Sequence, residues 1–171
     1  MNKHLRDLIL IALSTSILVV QELVLSFLPN IQLTTLLLLV YTKIYGLKKS
    51  IVIVFIYVLI DNLLFGSIMM MHIVIPMLLA WLVIVSSFSL LLKMTRHQIV
   101  YIVFAYLCGH VYGLMFVPFQ AFILNIDPIA YMLVDIPWEI VMGISNALAV
   151  LWLFDPLTRS LTNLLQHMSL D

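Results

Sequence analysis

An all-α integral membrane protein with six transmembrane helices and both termini in the cytoplasm is the fold this sequence predicts. Three observations lead there. Of 171 residues, 64% are hydrophobic and only 9% charged, with a mean hydropathy of +1.20. A soluble domain carries about 25% charged residues, so there is too little polar surface here to cover a globule of this size. The apolar runs are long and do not alternate, which reads as helices rather than a barrel. The basic residues fall in four places, and a six-span division puts all four on one face. A cytosolic enzyme, a secreted disulfide scaffold and a disordered tail are excluded.

The first span covers about 7–28 and stops at Pro29-Asn30. Its apolar stretch is longer than a signal-peptide core and lacks a small-x-small cleavage site, so it is expected to be retained. The second covers about 32–46 and stops at Gly46, before Lys48-Lys49. It is short, and Lys43 can snorkel from its inner end. The third covers about 50–66 and ends at Gly66; the fourth covers about 74–92. The fifth covers about 98–124 and ends at Asn125-Ile126-Asp127-Pro128. The sixth covers about 129–154, before Asp155-Pro156, and a short cytoplasmic tail over 157–171 has the apolar spacing of a surface helix. The chain is one membrane domain, 1–171, without an internal repeat. Six spans of roughly 20 residues use roughly 120, which leaves no room for an ATPase, kinase or sensor domain.

The basic places are Lys3 and Arg6; Lys43, Lys48 and Lys49; Lys93 and Arg96; and Arg159. By the positive-inside rule their shared face is cytoplasmic. The formal net charge is zero, so no attraction to nucleic acid is expected. The single Cys108 can form no internal disulfide.

The acids distribute the other way. Asp7, Asp155 and Asp171 lie on the basic side, while Glu22, Asp61, Asp127, Asp135 and Glu139 lie toward the outer half. An acid at a helix centre costs about 2.5–3.5 kcal/mol on insertion scales. Such residues face a bundle interior or a wet cavity and carry a functional expectation. Asp135 and Glu139 are four apart and share a helical face. Tyr131 extends that face outward and Asn146 inward, Trp138 adds aromatic surface, and Pro137 frees a backbone carbonyl. Two readings fit this stripe: the wall of an outward-facing pocket, or a polar network and aromatic belt that ties helices together.

Span five brings Tyr106, His110, Gly113 and Gln120, which read as a pocket wall or, for His110, as a structural donor. Asp61-Asn62 ends span three before a loop with Met69, Met70, Met71 and His72. The methionines read either as a lid over a ligand or as a loop dipping into lipid. No metal-ligand spacing, nucleophile motif or phosphate loop occurs, so neither a metal nor a cofactor is expected. The candidate ligand-binding residues are Glu22, Asp61, Asn62, His72, His110, Tyr131, Asp135, Trp138, Glu139 and Asn146. Several carboxylates without a basic residue disfavour anions and favour a cation or a ligand rich in N–H donors.

The chain resembles the substrate-binding S components of energy-coupling factor (ECF) vitamin transporters. The resemblance covers the whole length in size and six-helix layout. It includes a small-x-x-x-small pattern, Ala12-Leu-Ser-Thr-Ser16, where many such components carry A-x-x-x-A, and the passage Leu28-Pro-Asn-Ile-Gln-Leu-Thr34 after the first span. The resemblance implies that Ala12 and Ser16 dock on a transmembrane coupling subunit that works with two ATPase subunits. The same spacing also serves packing within a chain. It further implies a vitamin held by the external loops and outer helix halves, a bacterial plasma-membrane location and no enzymatic activity of the chain itself. The acid-rich pocket suits hydroxymethylpyrimidine, thiamine or pyridoxine, followed by a queuosine precursor bearing an amine, or cobalamin. Two other classes compete: a scaffold like the rod-shape protein MreD, which needs no converging acids, and a proton-coupled carrier acting alone, in which buried acids serve as relays.

Overall fold

The computed structural model describes residues 3–170, with side chains over residues 4–167. Every regular element among them is helical: α1 (Lys3–Leu25), α2 (Thr34–Tyr45), α3 (Leu47–Leu64), α4 (Met71–Met94), α5 (Gln98–Leu124) and α6 (Pro128–Leu170). Four of these, α1, α4, α5 and α6, are long and apolar enough to cross a membrane. α3 carries Lys48, Lys49 and Asp61 within its 18 residues. α2 has only 12 residues, about 18 Å of rise against a hydrocarbon layer of about 30 Å.

Local chemistry sets most boundaries. Asp127 Oδ1 accepts the Ile129 and Ala130 N–H groups at 2.9 and 3.0 Å. With Pro128 in the first helical position, this caps the start of α6. Gly46 alone joins α2 to α3 with φ at +80°, a left-handed conformation that a side chain would strain.

Pro156 departs from expectation. The sequence predicts that span six ends before it and that a separate tail helix follows; α6 instead runs unbroken through Pro156. The proline removes one helical N–H. Tertiary packing compensates, because Phe154 is fully buried and Leu157 and Leu161 pack against the same core. Asp171 lies outside the described residues.

α2 is the hub of the bundle. Its sequence is apolar on every side, and Thr34 through Thr42 are all buried, the pattern of a helix enclosed by others. It touches each of the other five helices, which surround it in the order α1, α3, α4, α5, α6. Among the described residues α1 and α6 do not pack on each other, so the ring has a seam between them.

The basic residues gather at one end. Asp7 and Lys49 pair at 2.6 Å and tie α1 to α3. Lys43 Nζ lies 4.7 Å from the Phe154 ring centre and 5.8 Å from that of Tyr101. The Tyr101 hydroxyl donates to the Thr95 carbonyl at 2.9 Å, which brings the turn with Arg96 to this end. The outward faces are apolar along their length, with Leu13, Ile17 and Val20 on α1 and Leu107 and Leu114 on α5 exposed. Such a continuous apolar surface fits lipid rather than water.

α5 and α6 approach at backbone contact. A Cβ on Gly109 would lie 2.7 Å from the Gly143 nitrogen, and one on Gly143 would lie 2.8 Å from the Tyr106 carbonyl oxygen. Small residues permit this crossing, as is common between membrane helices.

Candidate functional site: an acidic cavity beyond the end of α2

Because α2 is short, the other five helices continue past its N-terminal end and enclose a cavity of about 450 Å³. Glu22 comes from α1, Tyr57, Asp61 and Asn62 from α3, Met77 from α4, Tyr112 and Gly113 from α5, and Tyr131, Asp135, Trp138 and Glu139 from α6. The connection between α1 and α2, including Asn30, Ile31 and Gln32, and Phe65 and Ser67 of the connection after α3 complete the wall. No Lys or Arg lines it.

Its four carboxylates are held differently. Glu22 Oε2 accepts hydrogen bonds from Gln21 Nε2 and from the Thr34 hydroxyl, each at 3.2 Å. Gln21 acts as the clamp here: its Nε2 also reaches Thr34 Oγ1 at 2.7 Å, and its Oε1 accepts the Leu33 N–H at 2.8 Å. α2 has no side-chain cap of its own, so Gln21 and Glu22 together satisfy its start.

Glu139 is buried on α6 and crosses toward α5. Its Oε2 lies 3.0 Å from His110 Nδ1. Its carboxyl fills the space that a Cβ on Gly113 would occupy. The Tyr106 ring meets His110 edge-on at 5.1 Å and fixes the imidazole from the other side. The second oxygen, Glu139 Oε1, is buried and has no hydrogen-bond partner. Asp61 Oδ1 is in the same condition on α3. Asp135 lies half-buried one turn outward of Glu139. Two residues of one chamber, walled also by Tyr57, Tyr112, Phe116 and Trp138, thus each carry a buried carboxyl oxygen without a hydrogen-bond partner. Such a chamber suits a ring-bearing cation or a donor of several N–H bonds.

Of the ten candidates, Glu22, Asp61, Asn62, Tyr131, Asp135, Trp138 and Glu139 line this cavity. His110 supports it from behind through Glu139. Asn62 is already satisfied: it donates to the Val58 carbonyl at 2.8 Å and to Met77 Sδ at 3.2 Å, and accepts from Ser67 Oγ at 2.6 Å. It joins the end of α3 to α4 and to the following loop.

His72 and Asn146 do not line the cavity. His72 is half-buried at the start of α4. Asn146 is buried on α6 one turn below Met142, which forms the floor on that side. The periodic face simply continues past the floor. Met69, Met70 and Met71 are exposed and none lines the cavity. Gln120 is also outside it.

Sequence reading missed Gln21, Tyr57, Tyr112, Gly109 and Gly143, while Gly113, read as pocket wall, does line the cavity. One signal was present: Gly109-His-Val-Tyr-Gly113 has the G-x-x-x-G spacing of a tight helix crossing. Tyr57 stands one turn before Asp61, on the same face.

Ala12 and Ser16 lie on the exposed face of α1, and Ser16 Oγ donates to the Ala12 carbonyl at 2.9 Å. Packing within the chain therefore does not use them. Among the described residues no group of three His, Cys, Asp or Glu side chains is placed to hold a metal ion. No family model, curated protein or solved structure matches the chain.

Proposed function

We propose that the chain is the substrate-binding membrane subunit of an importer of the ECF type. It takes up a small cationic or N–H-rich vitamin or precursor on the acidic side. A transmembrane coupling subunit and two ATPase subunits drive its release on the basic side. Six segments cross a bacterial plasma membrane, with both termini cytoplasmic, and the chain itself catalyses no reaction.

The observation that carries this reading is the cavity of about 450 Å³ in which four carboxylates and no Lys or Arg converge, two of them with a buried oxygen that has no hydrogen-bond partner. Small-molecule sites run from about 300 to 1,000 Å³. The volume suits a one- or two-ring compound such as hydroxymethylpyrimidine, thiamine or pyridoxine, or an amine-bearing queuosine precursor, better than cobalamin. A scaffold of the MreD kind has no use for buried acceptors without partners, since each costs stability. The orientation rests on the gathering of basic residues at one end. α2 crosses only the inner part of the layer, and the α1–α2 connection and the cavity complete its path.

Tryptophan fluorescence of the purified chain tests the reading. Trp138 lines the cavity, whereas Trp81 is buried in the core and Trp152 is exposed on α6. One compound from a panel of aminopyrimidine, pyridine and aminated purine-like precursors should give a saturable change at submicromolar concentration, lost in Trp138→Phe. Silence across the panel overturns the importer reading and favours the scaffold.

A further inference from the structure

A second cavity, of about 540 Å³, opens at the basic end. Arg6 of α1, Lys43 of α2 and Lys49 of α3 line it, and Thr158 and Thr162 of the α6 extension close it. Its one carboxylate, Asp7, is already bound to Lys49 at 2.6 Å. Among the described residues, three cations against one carboxylate leave two positive charges in excess. Asp155, the other acid at this end among the described residues, does not line it.

Two of the lining residues carry polar atoms without partners. Arg6 Nε and Thr158 Oγ1 are both buried and have no hydrogen-bond partner. A guanidinium and a hydroxyl are the donors that receive a phosphate oxygen. Leu10 and Leu165 line the same cavity, so it is apolar on one side and cationic on the other. It also draws its walls from α1 and α6, the two neighbours in the ring that do not pack together. The seam between them leads from the bilayer into it.

We propose that this cavity binds the phosphate of an anionic phospholipid, with an acyl chain lying in the α1–α6 seam. Arg6 and Lys43 hold the phosphodiester, Thr158 donates to it, and Leu10 and Leu165 meet the first methylenes. The α6 extension through Pro156 is what supplies Thr158 and Thr162 to the site. Basic pockets between helices at a membrane face are suited to such headgroups. The inference needs the chain to lie in a membrane but is independent of what the acidic cavity carries.

Native mass spectrometry of the detergent-purified chain, titrated with phosphatidylglycerol or phosphatidylcholine, tests it. One phosphatidylglycerol should remain bound in preference to phosphatidylcholine. Each cation engaged contributes about fivefold, so Arg6→Gln and Lys43→Gln should each lower the preference by about that factor. Asp7→Asn removes the competing carboxylate and should raise it. Lys93→Gln makes the same charge change elsewhere at this end and should leave it unaltered. An equal loss in Lys93→Gln means diffuse surface attraction and overturns the proposal, as does the absence of any preference. Inorganic phosphate at millimolar concentration should not displace the lipid; displacement assigns the cavity to free phosphate instead. Circular dichroism of each variant separates loss of binding from loss of fold.

Discussion

Gly113 leaves the space that the Glu139 carboxyl occupies, so the absence of one side chain on α5 places an acid of α6. Without that vacancy the carboxylate would not reach His110 at 3.0 Å. Gly113→Ala should therefore displace Glu139 and cost about 1–3 kcal/mol as overpacking. Thermal unfolding in detergent measures the loss, and ligand binding should fall with it. An alanine variant with unchanged melting would mean that the two helices can shift apart.

Glu139→Gln keeps the shape of the side chain and removes the charge. Ligand binding should weaken about tenfold, or about 1.4 kcal/mol, while expression stays near that of the parent. A variant that binds normally but unfolds early would assign Glu139 to holding α5 and α6 together through His110.

Asp61 carries a buried oxygen with no partner, and a buried carboxyl without hydrogen-bond partners is destabilising. Asp61→Asn should raise stability by about 1–2 kcal/mol and weaken binding of a cationic ligand. Opposite movement of melting temperature and affinity is the diagnostic result. A parallel fall of both would show that Asp61 is a structural acid.

Gln21 satisfies the Leu33 N–H and the Thr34 hydroxyl at the start of the central helix. Gln21→Leu leaves the Leu33 N–H unpaired and removes the donor to Thr34 Oγ1, and should cost about 1–3 kcal/mol. Hydrogen exchange of residues 33–36 should rise in the same variant. Unchanged protection there would remove Gln21 from its clamping role.

Ala12 lies on the exposed face of α1, so Ala12→Trp meets no part of the chain. Ligand binding by the isolated chain should be unaltered, and uptake by cells carrying the coupling partners should be lost. Uptake at the parental level would end the assignment of this face to a partner.

Much of the architecture was legible because its signals are local. Asp127-Pro128 caps a helix by its own chemistry, and Gly46 turns the chain by its own conformation. The acids of the cavity could be found because each is costly in an apolar run. What could not be read depends on which helices meet. Glu139 and His110 are 29 residues apart, and only the glycine crossing of α5 and α6 joins them. Asn146 fits the same periodic face as Glu139, but periodicity does not say where a cavity ends; Met142 does. Pro156 was read as a stop because propensity favours one, yet the burial of Phe154 and the packing of Leu157 override it. Gln21 drew no notice beside the charged Glu22, although it makes the more numerous bonds.

The brevity of α2 also has an electrical meaning. In the proposed orientation, α2, with a rise of about 18 Å, is the tightly packed apolar stretch of the central axis among the described residues, so an applied voltage would fall mainly across it and less across the chamber beyond it. A cation that reaches Asp61 then stands at the outer edge of the field, where an inside-negative potential pulls it toward α2. Each elementary charge carried fully inward gains about 2.3 kcal/mol per 100 mV. Capture would then depend weakly on voltage, and release across α2 would collect most of that gain.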